Sequence, residues 1–281
     1  MKLVRYGDIG QEKPGMLDAQ GRIRSLAGVV DDITQETVSP EGLARLKALD
    51  PGSLPLVDGM PRLGPPIAQP RQFWALGRNY ALHIKEAGAE MPKHPTIFSK
   101  AITCISGATD DIPLYPGSVK LDYEGELAFV LGRRAHRIAE KDALGYIAGY
   151  CICNDVSERE WQVERTGTAP KGKSAPGYGP IGPWLVTADE VPDPQKLRVR
   201  TRVNGEVRQD ASTADMIFPV ARFLADLSEY MVLLPGDVLT TGTPEGVALG
   251  MKPPGWLKAG DVVQVDITGL GELRNTVVAA N

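Results

Sequence analysis

Short apolar runs of strand length recur along the chain and determine its predicted secondary structure. RQFWALG, ELAFVLG and YIAGYCIC are apolar stretches with the length and composition of buried strands. LRVRTRVNGEVRQ alternates apolar and polar positions and turns at Asn204-Gly205, a dipeptide typical of a two-residue hairpin. The pattern therefore predicts a protein built mainly from strands.

A few segments have helical patterns instead. SPEGLARLKAL offers Ser39 as an N-cap and Pro40 at the first helical position. NYALHIKEAGA has Asn79 as a candidate cap and Gly88 as a stop signal. VSEREWQVER is polar and predicted to be helical, and MIFPVARFLADLSEYM is the one long amphipathic helix. Because helices and strands do not alternate regularly, the predicted fold class is α+β, predominantly β.

A proline-rich stretch divides the chain. Six prolines lie between Pro51 and Pro70, a density typical of a linker or an extended strap. We place a domain boundary there. Residues 1–65 are predicted to be a small N-terminal α/β domain with its linker, and residues 66–281 a larger domain that carries the candidate chemistry.

Composition and charge narrow the class of protein. Apolar residues make up 42% and charged residues 23% of the 281 positions, as in ordinary globular proteins. The net charge of −4 without a basic block argues against nucleic acid as a partner. No apolar run approaches the ~20 residues that span a bilayer, and MKLVRYGDIG has no signal-peptide core. With its three cysteines too few for a disulfide framework, the chain is predicted to be cytoplasmic, without a membrane partner.

Three carboxylates lead one of the apolar runs, LDYEGELAFVLG. Asp122, Glu124 and Glu126 occupy every second position, so in a strand they point to one face. Spacing alone fits a strand that emerges into solvent, and it also fits a metal site at the mouth of a sheet. Carboxylates on one buried face repel each other and resist desolvation unless a cation offsets both costs.

Asp155 follows another apolar run, in YIAGYCICNDVSEREWQ. Asp155, Arg159 and Gln162 fall on one stripe if a helix follows, which fits a surface ion pair at a helix start as well as a site. If this strand end lies beside that of Glu124 and Glu126, three carboxylates converge. Oxygen ligands suit Mg²⁺, Mn²⁺ or Ca²⁺ better than Zn²⁺.

His83 and Glu86, in GRNYALHIKEAG, are three residues apart and share one side of a short helix. A histidine oriented by a carboxylate can act as a general base, although an i,i+3 pair on a surface is also common. His94 and His136, the other two histidines, have the surroundings of a loop and a solvated turn.

Two further segments could bind an anion. Lys171 and Lys173 lie in KGKSAPGYGPIGP, which is predicted to be an irregular loop, and Thr243 lies in the turn of VLTTGTPEGV. Surface charge and a turn that needs glycine are the alternatives. Burying the ammonium of Lys100, in IFSKA, without a partner would cost much free energy of desolvation. Lys100 is therefore expected at a strand end or in a site.

These motifs, taken in order, resemble the fumarylacetoacetate hydrolase family. The order is GxNY–H–xx–E, F-x-K, DYEGELA, AGYxxxNDVSxRxxQ, KGKS…GPxGPW and TGTPEGV, over Phe73 to Val278. The resemblance implies a mixed β-sandwich roll, usually a homodimer, with one divalent metal per site, Mg²⁺ or Mn²⁺, and Ca²⁺ as an in vitro substitute.

The resemblance also implies roles for single residues. The metal ligands would be Glu124, Glu126 and Asp155, with Asp122 as a neighbour. His83 with Glu86 would activate water on a mobile segment. Lys173 is assigned a catalytic role, and its ammonium or that of Lys100 would stabilise an enolate. The candidate substrate contacts are Arg78, Tyr80, Lys100, Arg159, Gln162 and Thr243.

Two departures from the family pattern concern the substrate. KSAPGYGP lacks an acid that often follows the loop lysine, and Arg78 replaces a residue that is often small or apolar. Arg78 could meet a substrate carboxylate or reach solvent.

The implied reaction is hydrolysis of a 2,4-dioxo acid, of the acylpyruvate type, to pyruvate and a carboxylic acid. A 2,4-diketo-3-deoxy sugar acid, such as deoxyrhamnonate or deoxyfuconate, is the predicted substrate.

Other activities fit the same residues. Oxaloacetate decarboxylation and 2-hydroxydienoate isomerisation or decarboxylation could use the same site, and ureidoglycolate lyase is a further label among relatives. A non-catalytic protein with a structural Ca²⁺ site would explain the carboxylates. It would leave the His83–Glu86 pair and the loop lysine unexplained.

Overall fold

Strands predominate in the computed structural model, which describes residues 1–165 and 167–280. In these residues the strands are β1 (Lys2–Tyr6), β2 (Lys13–Leu17), β3 (Ile23–Ser25), β4 (Phe73–Gly77), β5 (Thr96–Ser99), β6 (Ile105–Ser106), β7 (Ile112–Leu114), β8 (Leu121–Asp122), β9 (Gly125–Leu131), β10 (Ile147–Asn154), β11 (Ser157–Glu158), β12 (Gly179–Thr187), β13 (Arg198–Val203), β14 (Glu206–Ser212), β15 (Val238–Thr240), β16 (Val262–Ile267) and β17 (Gly271–Ala279). The α-helices are α1 (Pro40–Lys47), α2 (Ala81–Glu86), α3 (Ala169–Lys173) and α4 (Val220–Tyr230). The predicted α+β, predominantly β class is confirmed.

A mixed sheet forms the centre of the described chain. Its strand order is β3-β2-β1-β12-β10-β9-β15-β4-β5, with β6 beside β12. β9 and β10 are antiparallel neighbours, and all their residues are buried. β1 pairs with β12, with Lys2 opposite Val186, so the N-terminal strands extend the same sheet. Hydrogen bonds between β1 and β12 thus join the regions before and after residue 65. The division into two domains at that residue stays a prediction.

A second sheet, in the order β14-β13-β16-β17-β7, packs against the first. Strands β16 and β17 contact β10, and β13 contacts β9, which gives the layered arrangement of a sandwich. The layers approach closely at Gly125, where a Cβ atom would overlap the Thr201 hydroxyl and crowd Val265. Glycine at this position lets the chain between Glu124 and Glu126 lie against the second sheet.

Several local predictions are confirmed. Ser39 caps α1 by accepting a hydrogen bond from the amide of Gly42, and a proline opens the helix. β13 and β14 form the predicted hairpin, with Asn204 and Gly205 at φ 52° and 82°. Helix α4 begins after Pro219 and buries its apolar side. None of the described helices is long and apolar enough to cross a bilayer.

The polar segment VSEREWQVER is not the continuous helix that its composition predicts. Ser157 and Glu158 form strand β11 opposite β8, and only Glu160–Glu164 coil, as a π-helical turn. The carboxylate of Glu158 accepts hydrogen bonds from the hydroxyl of Ser118 and the amide of Lys120, which fix this stretch in its extended form. Tertiary contacts therefore override helix propensity here.

Two further predictions need correction. Lys171 and Lys173 lie in helix α3 and not in an irregular loop, because Pro170 starts a short helix at its first turn. Helix α2 has Tyr80 at its N-cap instead of Asn79. The Asn79 side chain is engaged elsewhere: its amide group donates to the carbonyl oxygens of Phe218 and Thr241.

Candidate active site

The three predicted metal ligands meet where β9 and β10 pair. Cys153 lies opposite Glu126, and the amide of Asp155 donates to the carbonyl oxygen of Glu124 at 2.9 Å. One oxygen each from Glu124, Glu126 and Asp155 lies within 4.8 Å of the others. All three residues are at most 5% exposed. The antiparallel register thus brings the strand ends together, as the sequence analysis required for a metal site.

Two cations offset the charge of Glu124. Its carboxylate accepts hydrogen bonds from the Lys173 ammonium and the Arg159 guanidinium, both at 2.6 Å. Burial alone would raise the pKa of Glu124, but Lys173 and then Arg159 outweigh burial and hold the pKa below its usual value. Glu124 is therefore a carboxylate at neutral pH.

Asp155 also has two cationic partners. Its carboxylate accepts from Lys173 at 2.7 Å and from Lys100. Burial lowers the pKa of Lys100, but the charge of Asp155 more than compensates and raises it. Lys173 also donates to the hydroxyl of Ser157 at 2.7 Å, and Lys100 also donates to the carbonyl oxygen of Tyr178 at 2.9 Å.

Glu126 differs from its neighbours because, among the described residues, it has no cationic hydrogen-bond partner. It accepts from the Thr240 hydroxyl and from the amide of Gly242 at 2.9 Å. Burial, followed by the charges of Asp155 and Glu124, raises the pKa of Glu126 well above its usual value. A further cation is therefore what this cluster lacks.

A divalent metal ion fits this cluster. Asp122, Glu124, Glu126 and Asp155 supply four carboxylates, whereas only Lys100, Arg159 and Lys173 form ion pairs with them in the described chain. Glu124, Glu126 and Asp155 could hold an ion through oxygen atoms alone, a donor set that suits Mg²⁺, Mn²⁺ or Ca²⁺. Their assignment as ligands stays a prediction.

His83 and Glu86 lie close together on helix α2, as their spacing predicts. Nδ1 of His83 lies 2.9 Å from Oε1 of Glu86. The carboxylate of Glu86 also accepts the amide of Gly246 at 3.0 Å, in the turn after β15. Since a carboxylate only accepts hydrogen bonds, the proton belongs on Nδ1, and Nε2 is left free to accept one. The pair has the arrangement of an oriented general base.

One cavity of about 540 Å³ connects the acids with this pair. Its wall contains the three carboxylates and His83. It also contains five other residues predicted to take part in binding or catalysis: Arg78, Arg159, Gln162, Lys173 and Thr243. The arrangement places acidic side chains, basic side chains and a candidate base around the same space.

Two predicted substrate contacts lie elsewhere. Lys100 is buried against Asp155 and is not among the described residues that line the cavity, so its role as a direct substrate contact stays a prediction. Tyr80 is 1% exposed and is also absent from the wall; its ring packs in the core. Glu86 reaches the cavity only through His83.

Asp122, predicted as a neighbour of the ligands, and Ser157 support the site through contacts with its cations. Asp122 accepts hydrogen bonds from Nε of Arg159 at 2.9 Å and from the amide of Ala248 at 2.7 Å. Its alternation with Glu124 is the signal that linked it to the same face. Ser157 binds Lys173, and its position next to the NDV segment carried no separate signal.

Comparison with known proteins gives relatives over the full length. A curated protein of Burkholderia multivorans, provisionally named a hydrolase, is 54% identical, with all of both chains covered. Fumarylacetoacetate hydrolase from Exiguobacterium antarcticum is 37% identical with a TM-score of 0.87. Maleylpyruvate hydrolase from Sphingobium sp. SYK-6 is 28% identical with a TM-score of 0.83. Both structures and this chain cover each other completely.

The fold and the site define an enzyme, with buried carboxylates and a histidine–carboxylate pair on one cavity. The family described as fumarylacetoacetate (FAA) hydrolase, C-terminal, matches residues 72–278. This chain belongs to the fumarylacetoacetate hydrolase family.

Proposed function

We propose that this enzyme hydrolyses a carbon–carbon bond of a 2,4-dioxo acid to give pyruvate and a carboxylic acid. The observation that carries the proposal is the oriented His83–Glu86 pair on the same cavity wall as Glu124, Glu126 and Asp155. A structural ion site would not require a base beside it. The names of the two solved relatives, both hydrolases, support the same class of reaction.

Glu124, Glu126 and Asp155 would hold Mg²⁺ or Mn²⁺. When bound, the ion supplies Lewis-acid polarisation and orients a 2-oxo acid that chelates it. The three residues already lie within reach of one ion, because their oxygens are within 4.8 Å of one another.

His83 carries the proton transfers in this proposal. The carboxylate of Glu86 accepts a hydrogen bond from the protonated Nδ1 of His83. Nε2 then removes a proton from water as the oxygen of that water attacks the C4 carbonyl. The C3–C4 bond then breaks, its electron pair forms the enolate of pyruvate, and the proton returns from His83 to C3. Water thus contributes its hydroxyl to the released acid and its proton to pyruvate.

Arg159 and Lys173 hold charge around the reacting group. Arg159 donates to Glu124 and, at 3.1 Å, to Gln162, so the guanidinium and the amide are fixed together on the cavity wall. Lys173 donates to two carboxylates and a hydroxyl, which would fix the position of its ammonium beside the developing enolate. Thr243 donates to the carbonyl oxygen of Gly125 at 3.1 Å and shapes the same wall.

A metal-reconstituted assay tests the proposal. The protein, freed of metal and then supplied with Mg²⁺ or Mn²⁺, is given acylpyruvates, 2,4-diketo-3-deoxy sugar acids, oxaloacetate and a 2-hydroxydienoate. We expect the highest kcat/KM for a 2,4-dioxo acid, with pyruvate and the second acid formed in equal amounts. The sugar-acid arm tests deoxyrhamnonate and deoxyfuconate derivatives, which are the substrates predicted from the sequence.

The remaining arms separate the rival activities. A kcat/KM highest for oxaloacetate, with no cleavage of any 2,4-dioxo acid, would contradict the proposal and favour decarboxylation. Tautomerisation of a 2-hydroxydienoate without cleavage would favour an isomerase. Metal binding without turnover of any of these compounds would favour a non-catalytic site.

A further inference from the structure

The carboxylate of Glu86 packs against two glycines of the chain that follows β15. It accepts the amide of Gly246, and a Cβ atom added at Gly250 would lie only 2.2 Å from Oε2 of Glu86. The same atom would lie 2.5 Å from Cδ and 2.9 Å from Cγ of Glu86. The carboxylate therefore occupies the space that any larger residue at position 250 would need.

The amide of Gly246 is held in place by its surroundings. Gly246 has a φ of 95°, and a Cβ atom there would lie 1.9 Å from the carbonyl oxygen of Arg208 on β14. The hydroxyl of Tyr123 donates to the carbonyl oxygen of Gly246 at 2.8 Å. The hydrogen bond to Glu86 thus comes from a fixed part of the second sheet's edge.

Gly250 ends a short 3-10 helix, Ala248–Gly250, which Asp122 joins to the acid cluster. The carboxylate of Asp122 accepts the amides of Ala248 at 2.7 Å and Leu249 at 3.1 Å. The same carboxylate binds Nε of Arg159 at 2.9 Å. Asp122 therefore fixes the backbone beside Glu86 relative to the candidate metal ligands.

The backbone itself does not require glycine at position 250. Gly250 lies outside the left-handed region, and in such a conformation alanine usually stabilises a fold by lowering the entropy of the unfolded chain. The three atoms nearest an added Cβ all belong to the end of the flexible Glu86 side chain. A methyl group would therefore displace the carboxylate and leave the path of the chain unchanged.

We propose that Gly250 is a positioning residue for the general base: it leaves room for the Glu86 carboxylate, which fixes the tautomer of His83. This role rests on the proposed function, in which His83 is the base. Nδ1 of His83 lies 2.9 Å from Oε1 of Glu86, so a displaced carboxylate would no longer accept the Nδ1 proton. An imidazole without that acceptor can carry its proton on Nε2, where it cannot take one from water.

Kinetics of Gly250→Ala test this role. With the Mg²⁺-loaded protein and the 2,4-dioxo acid that the parent cleaves fastest, we expect kcat to fall by about 10²-fold, as for a misplaced reacting group. KM and the affinity for Mg²⁺ should change little, because no candidate ligand or substrate contact is altered. Gly145→Ala is the matched control and should keep the parent's kcat. Gly145 also lies in a 3-10 helix, and no atom lies within 4 Å of an added Cβ there.

A second background shows whether the methyl group acts through Glu86. In Glu86→Ala, the further change Gly250→Ala should lower kcat no more, because the carboxylate that it would displace is gone. A second fall of similar size would overturn the proposal. If Gly250→Ala alone folds poorly, folding restored in the double variant supports the proposal, and a double variant that also fails to fold overturns it.

The nitrogen NMR spectrum of the imidazoles gives a readout that needs no turnover. The chain has three histidines, and the spectrum of His83→Ala identifies the signals of His83. In the parent, neutral His83 should carry its proton on Nδ1, and in Gly250→Ala the share of the Nε2–H tautomer should rise. An unchanged tautomer would overturn the role of Gly250. If the parent cleaves no 2,4-dioxo acid, the proposed function fails, and this spectrum alone decides whether Gly250 positions His83.

Discussion

Two acid-rich regions of this protein balance their charges differently. Around the N-terminal strands the carboxylates are matched to arginines: Arg24 lies 2.9 Å from Asp18, and Arg5 lies 2.7 Å from Asp32. Arg62 lies 2.9 Å from Glu12 and also pairs with Asp110. Each of these acids therefore has a cation beside it.

At the ends of β9 and β10 the same kind of network leaves one acid unmatched. Among the described residues, three cations serve four carboxylates, and Glu126 has only a hydroxyl and an amide as hydrogen-bond donors. Burying a surplus charge costs stability unless a ligand completes the network. The comparison indicates that the paired acids need no further ligand, whereas the acid without a cationic partner is where we expect a cation to bind.

Removing His83 should produce the largest effect, on turnover alone. His83→Ala leaves all four carboxylates in place, so metal binding should persist while kcat falls by about 10³-fold or more, since the general base is lost. Steady-state kinetics and metal titration check both parts. His136→Ala, at an exposed histidine, is the control. Equal loss of metal binding and turnover would mean that His83 serves the ion site and not the chemistry.

Breaking the buried Asp122–Arg159 pair should cost about 3 kcal/mol of unfolding free energy. Asp122→Ala leaves the guanidinium short of one partner and leaves the amides of Ala248 and Leu249 without their acceptor. Denaturant unfolding measures the loss. Asp142→Ala, at an exposed position of a short 3-10 helix, should have little effect. A loss below about 1 kcal/mol would mean that water replaces the carboxylate easily.

Removing one carboxylate charge from each of the two regions should have opposite effects on the stability of the metal-free protein. Glu126→Gln removes the surplus charge, so the metal-free protein should gain stability and Mg²⁺ should no longer stabilise it. In the parent, saturation at 100 times Kd adds about 2.7 kcal/mol. Glu12→Gln should instead destabilise the protein, because Arg5 and Arg62 lose an acid, and leave the Mg²⁺ effect intact. Thermal unfolding with and without Mg²⁺ measures both, and the same response in both variants would refute the contrast.

The smallest expected effect concerns Asp18 and pH. Burial raises the pKa of Asp18, but hydrogen bonds from the amide of Arg22 and the side chains of Arg24 and Arg22 outweigh it and lower the pKa to about 2. Because the folded value lies below the ordinary 3.8, the stabilisation is complete above that pH and is lost as the pH falls toward 2. The difference in denaturation midpoint between the parent and Asp18→Asn should therefore shrink below pH 4. A difference independent of pH would show that the aspartate charge is not involved.

Local patterns predicted the parts of the fold that depend on near neighbours. The alternation of Glu124 and Glu126, the cap at Ser39 and the hairpin at Asn204-Gly205 each follow from a few adjacent residues. The convergence of Asp155 with Glu124 needed one condition, that their strands be neighbours, and the antiparallel pairing of β9 with β10 meets it.

Interactions between distant segments were the parts that local patterns could not supply. The pairing of Lys2 with Val186 joins the first strand to one far along the chain, and no local pattern specifies such a partner. Lys100 was expected at a strand end or in a site because its ammonium is costly to bury unpaired, but no local pattern identified Asp155, 55 positions away, as its partner. The extended form of Glu158 likewise depends on Ser118 and Lys120, which lie about forty positions away.

The carboxylate of Glu86 accepts two hydrogen bonds, one from the imidazole of His83 on its own helix and one from the amide of Gly246 beyond β15. A six-residue helix such as α2 is too short to be stable alone, so this contact helps to keep it docked. If α2 moved outward, Glu86 would lose its hydrogen bond from the amide of Gly246. His83 would then leave the cavity wall while still hydrogen-bonded to Glu86. Docking of α2 and the position of His83 on the cavity wall therefore depend on the same carboxylate.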